Sequence, residues 1–152
     1  MISNLRTEYH RFQTGVYHTF NLKNKIMQTI LTDFYTLTSY EKAENGSFIA
    51  YIHLNKDHNI FKGHFPGNPV TPGVCMMQII KELTEEFTSS KLFLKTASNV
   101  KFMAIINPFE TPDLRLQLDI TEDGEDVKVK NITSFGETIA LKLSVSYKKL
   151  MS

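Results

Sequence analysis

Residues 74–87 constrain the fold more than any other stretch of this chain. Val74, Met76, Met77, Ile79, Ile80, Leu83 and Phe87 recur at helical spacing. The first two turns are apolar nearly all round, so that end is expected to be buried on every side. The second half carries Lys81, Glu82, Glu85 and Glu86 and is expected to be amphipathic and to emerge into solvent. The other long segments read as strands. Residues 47–54 alternate, with Phe48, Ala50, Ile52 and Leu54 on one side, and Glu44-Asn45-Gly46 reads as a hairpin turn before them. Four strand-like segments follow the helix, at 93–106, 114–121, 126–134 and 138–148, with turns at Asn107-Pro108, Asp123-Gly124 and Gly136 between them. In the last, Ile139, Leu141, Leu143, Val145 and Tyr147 form a core face opposite Ala140, Lys142, Ser144, Ser146 and Lys148. Residues 27–40 read as a short helix or turn feeding a strand, and 57–63 as a polar connection containing Phe61. One helix followed by an antiparallel meander is an α+β layout. One face of a flat sheet does not cover a helix this apolar; a strongly curved sheet wrapped around it does.

The chain of 152 residues is long enough for one domain with a sizeable core. A net charge of +1 gives no electrostatic case for nucleic acid or membrane as partner. No stretch has the uninterrupted apolar length of a membrane span, and the N-terminus lacks the apolar core of a secretory signal, so the expected compartment is the cytoplasm. Cys75 is the only cysteine, which excludes an internal disulfide and a cysteine-based metal site. Residues 1–26 scatter Tyr9, Phe12, Tyr17 and Phe20 without a clean period and carry Arg6, Arg11, Lys23 and Lys25 against Glu8 alone. They are expected to be an extension outside the domain, which runs over 27–149; a transit peptide is the alternative.

Chemistry concentrates in His64-Phe65-Pro66-Gly67-Asn68-Pro69-Val70-Thr71-Pro72-Gly73-Val74. Proline fixes φ and removes donors, and glycine admits conformations that other residues avoid, so this loop holds one backbone shape. It presents His64 beside the start of a helix, where unpaired N–H groups can receive a developing negative charge. That is a site for acyl chemistry.

The same run resembles the signature H-F-P-G-x-P-x-x-P-G-V of the 3-hydroxyacyl-[acyl-carrier-protein] dehydratases of bacterial fatty acid synthesis. The helix-first, sheet-after order fits that family's hotdog fold over about residues 27–149, and Asn99-Val100-Lys101-Phe102 looks like the family's strand after the helix. The resemblance implies that His64 takes the C2 proton of the hydroxyacyl thioester, that the Val70 carbonyl orients its imidazole, and that the Gly73 N–H polarises the thioester carbonyl. Phe65, Val74 and Met77 are then substrate-binding residues lining the acyl tunnel. The family's site lies at a dimer interface, its helix acid coming from the other subunit. This chain departs at that acid: five residues after the glycine of the Pro-Gly pair the family has Glu or Asp, and here stands Gln78. An amide does not protonate a departing hydroxyl, although it can hold one by hydrogen bonding.

The remaining candidates read as structural. His53, His58 and His64 have no spacing that suits a metal. Cys75 reads as a small buried residue, and Met76 as core or tunnel lining. Glu82, one turn beyond Gln78, is expected to salt-bridge at the surface rather than replace the acid. Lys81, Lys91, Lys95 and Lys101 either meet an acidic carrier protein or form a solvated face.

The expectation is a homodimer acting on an acyl-carrier-protein or coenzyme A thioester, with no cofactor or metal, in fatty acid or polyene biosynthesis. Its alternatives are a half-site subunit that pairs with an acid-supplying hotdog chain, and a hotdog thioesterase. The thioesterase fits the His-Phe-Pro-Gly run less well.

Overall fold

The computed structural model describes residues 31–63, Gly67 and 69–150. The expected extension and residues 27–30 therefore lie outside the described residues, as do His64, Phe65 and Pro66. Among the described residues six strands form one antiparallel sheet: β1 (Tyr35–Lys42), β2 (Phe48–Leu54), β3 (Leu92–Phe102), β4 (Asp113–Asp123), β5 (Asp126–Phe135) and β6 (Thr138–Lys149). Their order is β1-β2-β4-β5-β6-β3, so β1 and β3 are the edges. Two helices, α1 (Asn59–Gly63) and α2 (Gly73–Thr88), lie between β2 and β3 in the chain.

Period-two patterning sets the inner face of the sheet. Ala50, Ile52 and Leu54 of β2, Leu114, Leu116 and Leu118 of β4, and Val127 and Val129 of β5 form one core cluster with Cys75, Met76, Ile79, Ile80 and Leu83 of α2. The sheet curves around the helix, as the apolar helix requires. Two inward positions of β5 are polar. Thr133 donates to Asn131 Oδ1 at 2.9 Å, and Asn131 Nδ2 donates to the Gln117 carbonyl at 3.1 Å, so neither side chain is buried without a partner. The β1–β2 hairpin turns through Gly46, whose φ of 89° is the left-handed conformation that glycine adopts without steric cost. The expected turn before β1 is present over 31–34. It packs Phe34 against Phe61 of α1 with ring centroids 5.3 Å apart, in a segment expected to be only a polar connection.

Two expectations about the sheet are corrected. Ile139, assigned to the core face of β6, is 37% exposed, while Ala140 and Leu141 are both buried. A register shift between Thr133 and Ser134 of β5 breaks the alternation there, and a bulge of this kind moves a side chain to the other face. The strand expected over 93–106 runs from Leu92 to Phe102, and residues 94–102 are all exposed. Among the described residues it is an edge strand, paired with β6 on one side. Asn99, at φ 52°, lies in the register shift between Ser98 and Lys101.

A third correction concerns α2. Its charged half does not emerge into solvent: Lys81 is 5% exposed, Glu82 0% and Glu85 1%. Burial of charge is tolerated only where the groups are paired and hydrogen-bonded. Tyr35 Oη donates to Glu82 Oε1 at 2.7 Å, and the Leu92 N–H donates to Glu85 Oε2 at 2.8 Å. Residues from β1 and the start of β3 thus meet the helix carboxylates, a relation that helical periodicity alone does not contain. Lys91 is also buried, so neither Lys81 nor Lys91 presents a face to a carrier protein.

Candidate active site

The start of α2 is built by Thr71-Pro72-Gly73. Pro72 is extended (φ −62°, ψ 141°) and provides no side-chain cap. Its carbonyl accepts from the N–H groups of Cys75 and Met76 at 3.0 and 3.3 Å. Among the described residues nothing accepts from the Gly73 N–H, which remains one of the free donors of a helix N-terminus. The far end of β3 packs against this point. A Cβ at Gly73 would lie 2.5 Å from Phe102 Cζ, so the absence of a side chain at 73 is what admits the ring. Beyond β3 the chain is held to the same place, because the Met103 N–H donates to the Ala140 carbonyl and the Thr71 N–H to the Ile106 carbonyl, at 2.8 and 2.9 Å.

A cavity of about 320 Å³ opens beside this helix start, lined by Val70, Thr71, Gly73, Met76, Phe102 and Ile105 among others. Its walls are largely apolar. Thr71 Oγ1 is buried with no hydrogen-bond partner among the described residues. Val74, Phe102, Met103 and Ile105 beside it are 59%, 57%, 55% and 63% exposed. The expectation that the apolar first turns of α2 are buried on every side is therefore corrected: Cys75 and Met76 face the core, and Val74 faces outward. A second cavity of about 580 Å³ lies on the other stretch of the same loop, lined by Gly67, Pro69, Phe61, Lys56, Lys62 and Phe109 among others.

Of the residues singled out from sequence, Val70 and Gly73 share the smaller cavity, and Val74 is exposed without lining it. Met77 is half-buried against the core and lines neither cavity. Gln78 lines neither cavity as well; it is 8% exposed, and its Nε2 donates to Glu82 Oε2 at 3.1 Å. Glu82 is not a surface salt-bridging residue: both its oxygens accept, one from Tyr35 and one from Gln78. Phe102, Ile105 and Thr71 are site-lining residues that sequence reading passed over. For Phe102 and Ile105 the signal was the apolar run at 102–106, continuing past the strand; Thr71 offered none.

The other titratable groups fit structural roles. His53 Nδ1 lies 2.8 Å from Asp113 Oδ1 on the exposed face. His58 accepts the Ile60 N–H at Nδ1, which leaves Nε2 to donate to the Thr32 carbonyl at 2.9 Å. Burial pushes the Cys75 thiol up to about 11, outweighing any help from the helix start, so the group is an inert core residue as expected. Burial lowers the Lys81 ammonium to about 8, against the opposing pull of the Glu85 and Glu82 carboxylates and with a further push down from Lys91. Burial, then the Glu85 charge, holds the Tyr147 phenol well above its ordinary range. Lys95 lies 3.4 Å from Asp126, and Lys101 is exposed.

The ApeI-like family, described as ApeI dehydratase, matches residues 40–145. The 3-hydroxyacyl-[acyl-carrier-protein] dehydratase FabZ of Clostridium acetobutylicum is 29% identical over 99 residues, which cover 60% of this chain and 64% of the relative. The protein of the same name from Latilactobacillus sakei is 28% identical over 113 residues, covering 67% and 81%. The chain thus spans a little under two thirds of the first relative and about four fifths of the second. Among solved structures, the dehydratase heterocomplex ApeI:P from Xenorhabdus doucetiae matches with a TM-score of 0.60 at 17% identity, over 74% of this chain and 96% of that one. At that identity the likeness is one of fold, the hotdog arrangement of a helix wrapped by a curved antiparallel sheet.

Proposed function

Because the chain belongs to the ApeI-like dehydratase family, we propose that it removes water from 3-hydroxyacyl thioesters carried on an acyl carrier protein, giving trans-2-enoyl thioesters. The observation that carries this reading is the helix start at Gly73. Its N–H donor meets no acceptor among the described residues, it lies beside an apolar cavity, and in the sequence it follows His64 within ten residues through a proline-rich run.

The chemistry assigned to each group follows from its type. The Gly73 N–H meets the thioester carbonyl and stabilises the charge that develops there as the C2–H bond breaks. His64 is the base that takes the C2 proton. The C2–C3 double bond forms, the C3–O bond breaks, and the hydroxyl leaves as water with the proton returned from the His64 imidazolium. Gln78 holds the hydroxyl by hydrogen bonding and does not protonate it, so elimination is slow unless the leaving hydroxyl is activated. Substrates whose water loss extends a conjugated aryl or polyene chain meet that condition. Val70, Phe65 and Val74 are assigned to orienting His64 and lining the acyl path, whereas Met77, which lines neither cavity, is left with the core.

The exposed set Val74, Phe102, Met103 and Ile105, together with the open edge of β3, supports a dimer. An exposed edge strand is ordinarily covered, and apolar patches of this kind mark association surfaces. A second copy completes a homodimer. Gln78 favours a second reading, in which the covering chain is a different hotdog subunit that supplies the missing carboxylate. The solved ApeI:P structure is itself a heterocomplex.

The test is turnover of the purified protein with a 3-hydroxyacyl carrier-protein thioester, read by mass spectrometry for loss of water, beside His64→Ala. Water loss that the variant reduces by about 10²-fold or more supports the stand-alone enzyme. Retained acyl binding without water loss overturns it in favour of the two-subunit reading.

A further inference from the structure

Three buried side chains from two elements are joined in series. Tyr35 Oη of β1 donates to Glu82 Oε1, and Glu82 Oε2 accepts from Gln78 Nε2, at 2.7 and 3.1 Å. Glu82 is fully enclosed. The two ends of the Gln78 amide are therefore not equivalent. Turning the amide over would face its oxygen to a carboxylate oxygen, placing two acceptors against one another. Gln78 Oε1 takes no hydrogen bond from any described residue, and the residue keeps 8% of its surface exposed. It shares a helix face with Val74, one turn earlier and 59% exposed, so the amide stands where the covered part of α2 meets the uncovered part.

We infer that Glu82 is a positioning residue that holds the Gln78 amide with its carbonyl oxygen presented to the substrate, making the site selective for a 3-hydroxyacyl over a 3-oxoacyl thioester. The inference rests on the reading of Gly73 and Gln78 as part of an acyl-thioester site. A β-hydroxyl donates to Gln78 Oε1 and also accepts from the remaining amide N–H. A β-ketone has no proton to donate and leaves the oxygen without a partner. The loss of one neutral hydrogen bond corresponds to about a tenfold preference. Glu82 acts through Gln78 and touches no substrate, whereas Gln78 makes the contact.

The network also fixes what a neutral, same-sized residue at 82 would do. In Glu82→Gln the new side chain's oxygen takes the Tyr35 hydroxyl bond that Glu82 Oε1 accepts in the wild type. The new amide NH2 then faces Gln78 and turns it over, so that Gln78 presents NH2 where it had presented oxygen.

The experiment measures binding of matched 3-hydroxyacyl and 3-oxoacyl pantetheine thioesters by calorimetry, in a His64→Ala background where no turnover occurs. About a tenfold preference for the hydroxyacyl form is expected, falling to unity or reversing in Glu82→Gln. Thermal melts check that each variant folds. Where Glu82→Gln does not fold, Gln78→Met takes its place and is expected to bring the ratio to about one. A ratio unchanged in the folded variant overturns the inference, as does a starting ratio near one, and both leave the acyl-site reading standing. Failure of either thioester to bind overturns the acyl-site reading itself.

Discussion

Residues 73–77 and residues 78–85 belong to one helix and meet opposite surroundings. The first turns are apolar, yet Val74 is exposed, as are Phe102 at the end of β3 and Met103 and Ile105 just past it. The later turns are charged, yet Lys81, Glu82 and Glu85 are enclosed. Composition alone gives the reverse arrangement. The difference shows what each half is for. Apolar surface left uncovered around a helix start with a free donor is suited to receiving a partner chain and an acyl group. Charge drawn inside and tied to Tyr35 and to the Leu92 N–H is suited to holding the helix in one register against the sheet.

The largest expected effect breaks the enclosed half. Glu82→Ala leaves the Tyr35 hydroxyl and the Gln78 amide without their acceptor and is expected to destabilise the fold by about 3–5 kcal/mol in urea titration. A change under about 1 kcal/mol would mean that the network does not hold the helix. Next, Ile105→Asp on the uncovered surface is expected to leave the melting temperature of dilute protein nearly unchanged. It should weaken self-association by tenfold or more in sedimentation, because a charge placed in an apolar interface is desolvated without a partner. Equal association of variant and wild type would remove the assignment of this surface to a partner.

The smallest effect sharpens the comparison through pH. Lys81 has its folded pKa lowered from 10.5 to about 8, so between those values the unfolded chain binds more protons than the folded one. Stability contributed by this group therefore rises as pH rises from about 8 toward 10.5, by at most about 1.4 kcal/mol per pH unit. Below about pH 8 the charged lysine is buried at full cost. The stability of wild type relative to Lys81→Met is expected to increase across that window. A flat difference would show that the ammonium is not desolvated.

Much of the fold was legible because strands with one buried face write themselves as alternation. Ala50, Ile52 and Leu54, and later Leu141, Leu143, Val145 and Tyr147, are inward as their spacing demands. Ile139 was not legible, because the register shift against β5 leaves Ala140 as an extra residue in β6, which reverses the face of Ile139, and no local pattern records that shift. The helix start was legible from the apolar run beginning at Val74, one residue after the observed start at Gly73. The environment of Gln78 was not, since it depends on Tyr35, which arrives from 47 residues away from Glu82. Glu82 was misread for the same reason. A carboxylate on a helix is exposed unless some distant donor meets it, and that donor is a property of the tertiary structure.

The central claim is that α2 carries its carboxylate one turn too late, at an enclosed position, and an amide where a proton donor is needed. The most direct measurement is the rate of water loss from an ordinary 3-hydroxyacyl carrier-protein thioester by Gln78→Glu against wild type. A carboxyl at 78 would sit beside Glu82, and two carboxyls so close share a proton, which keeps a proton donor available near neutral pH. The rate is expected to rise on the order of 10²- to 10⁴-fold. A folded Gln78→Glu protein with the wild-type rate would contradict the claim and show that something other than the missing acid sets the speed of the reaction.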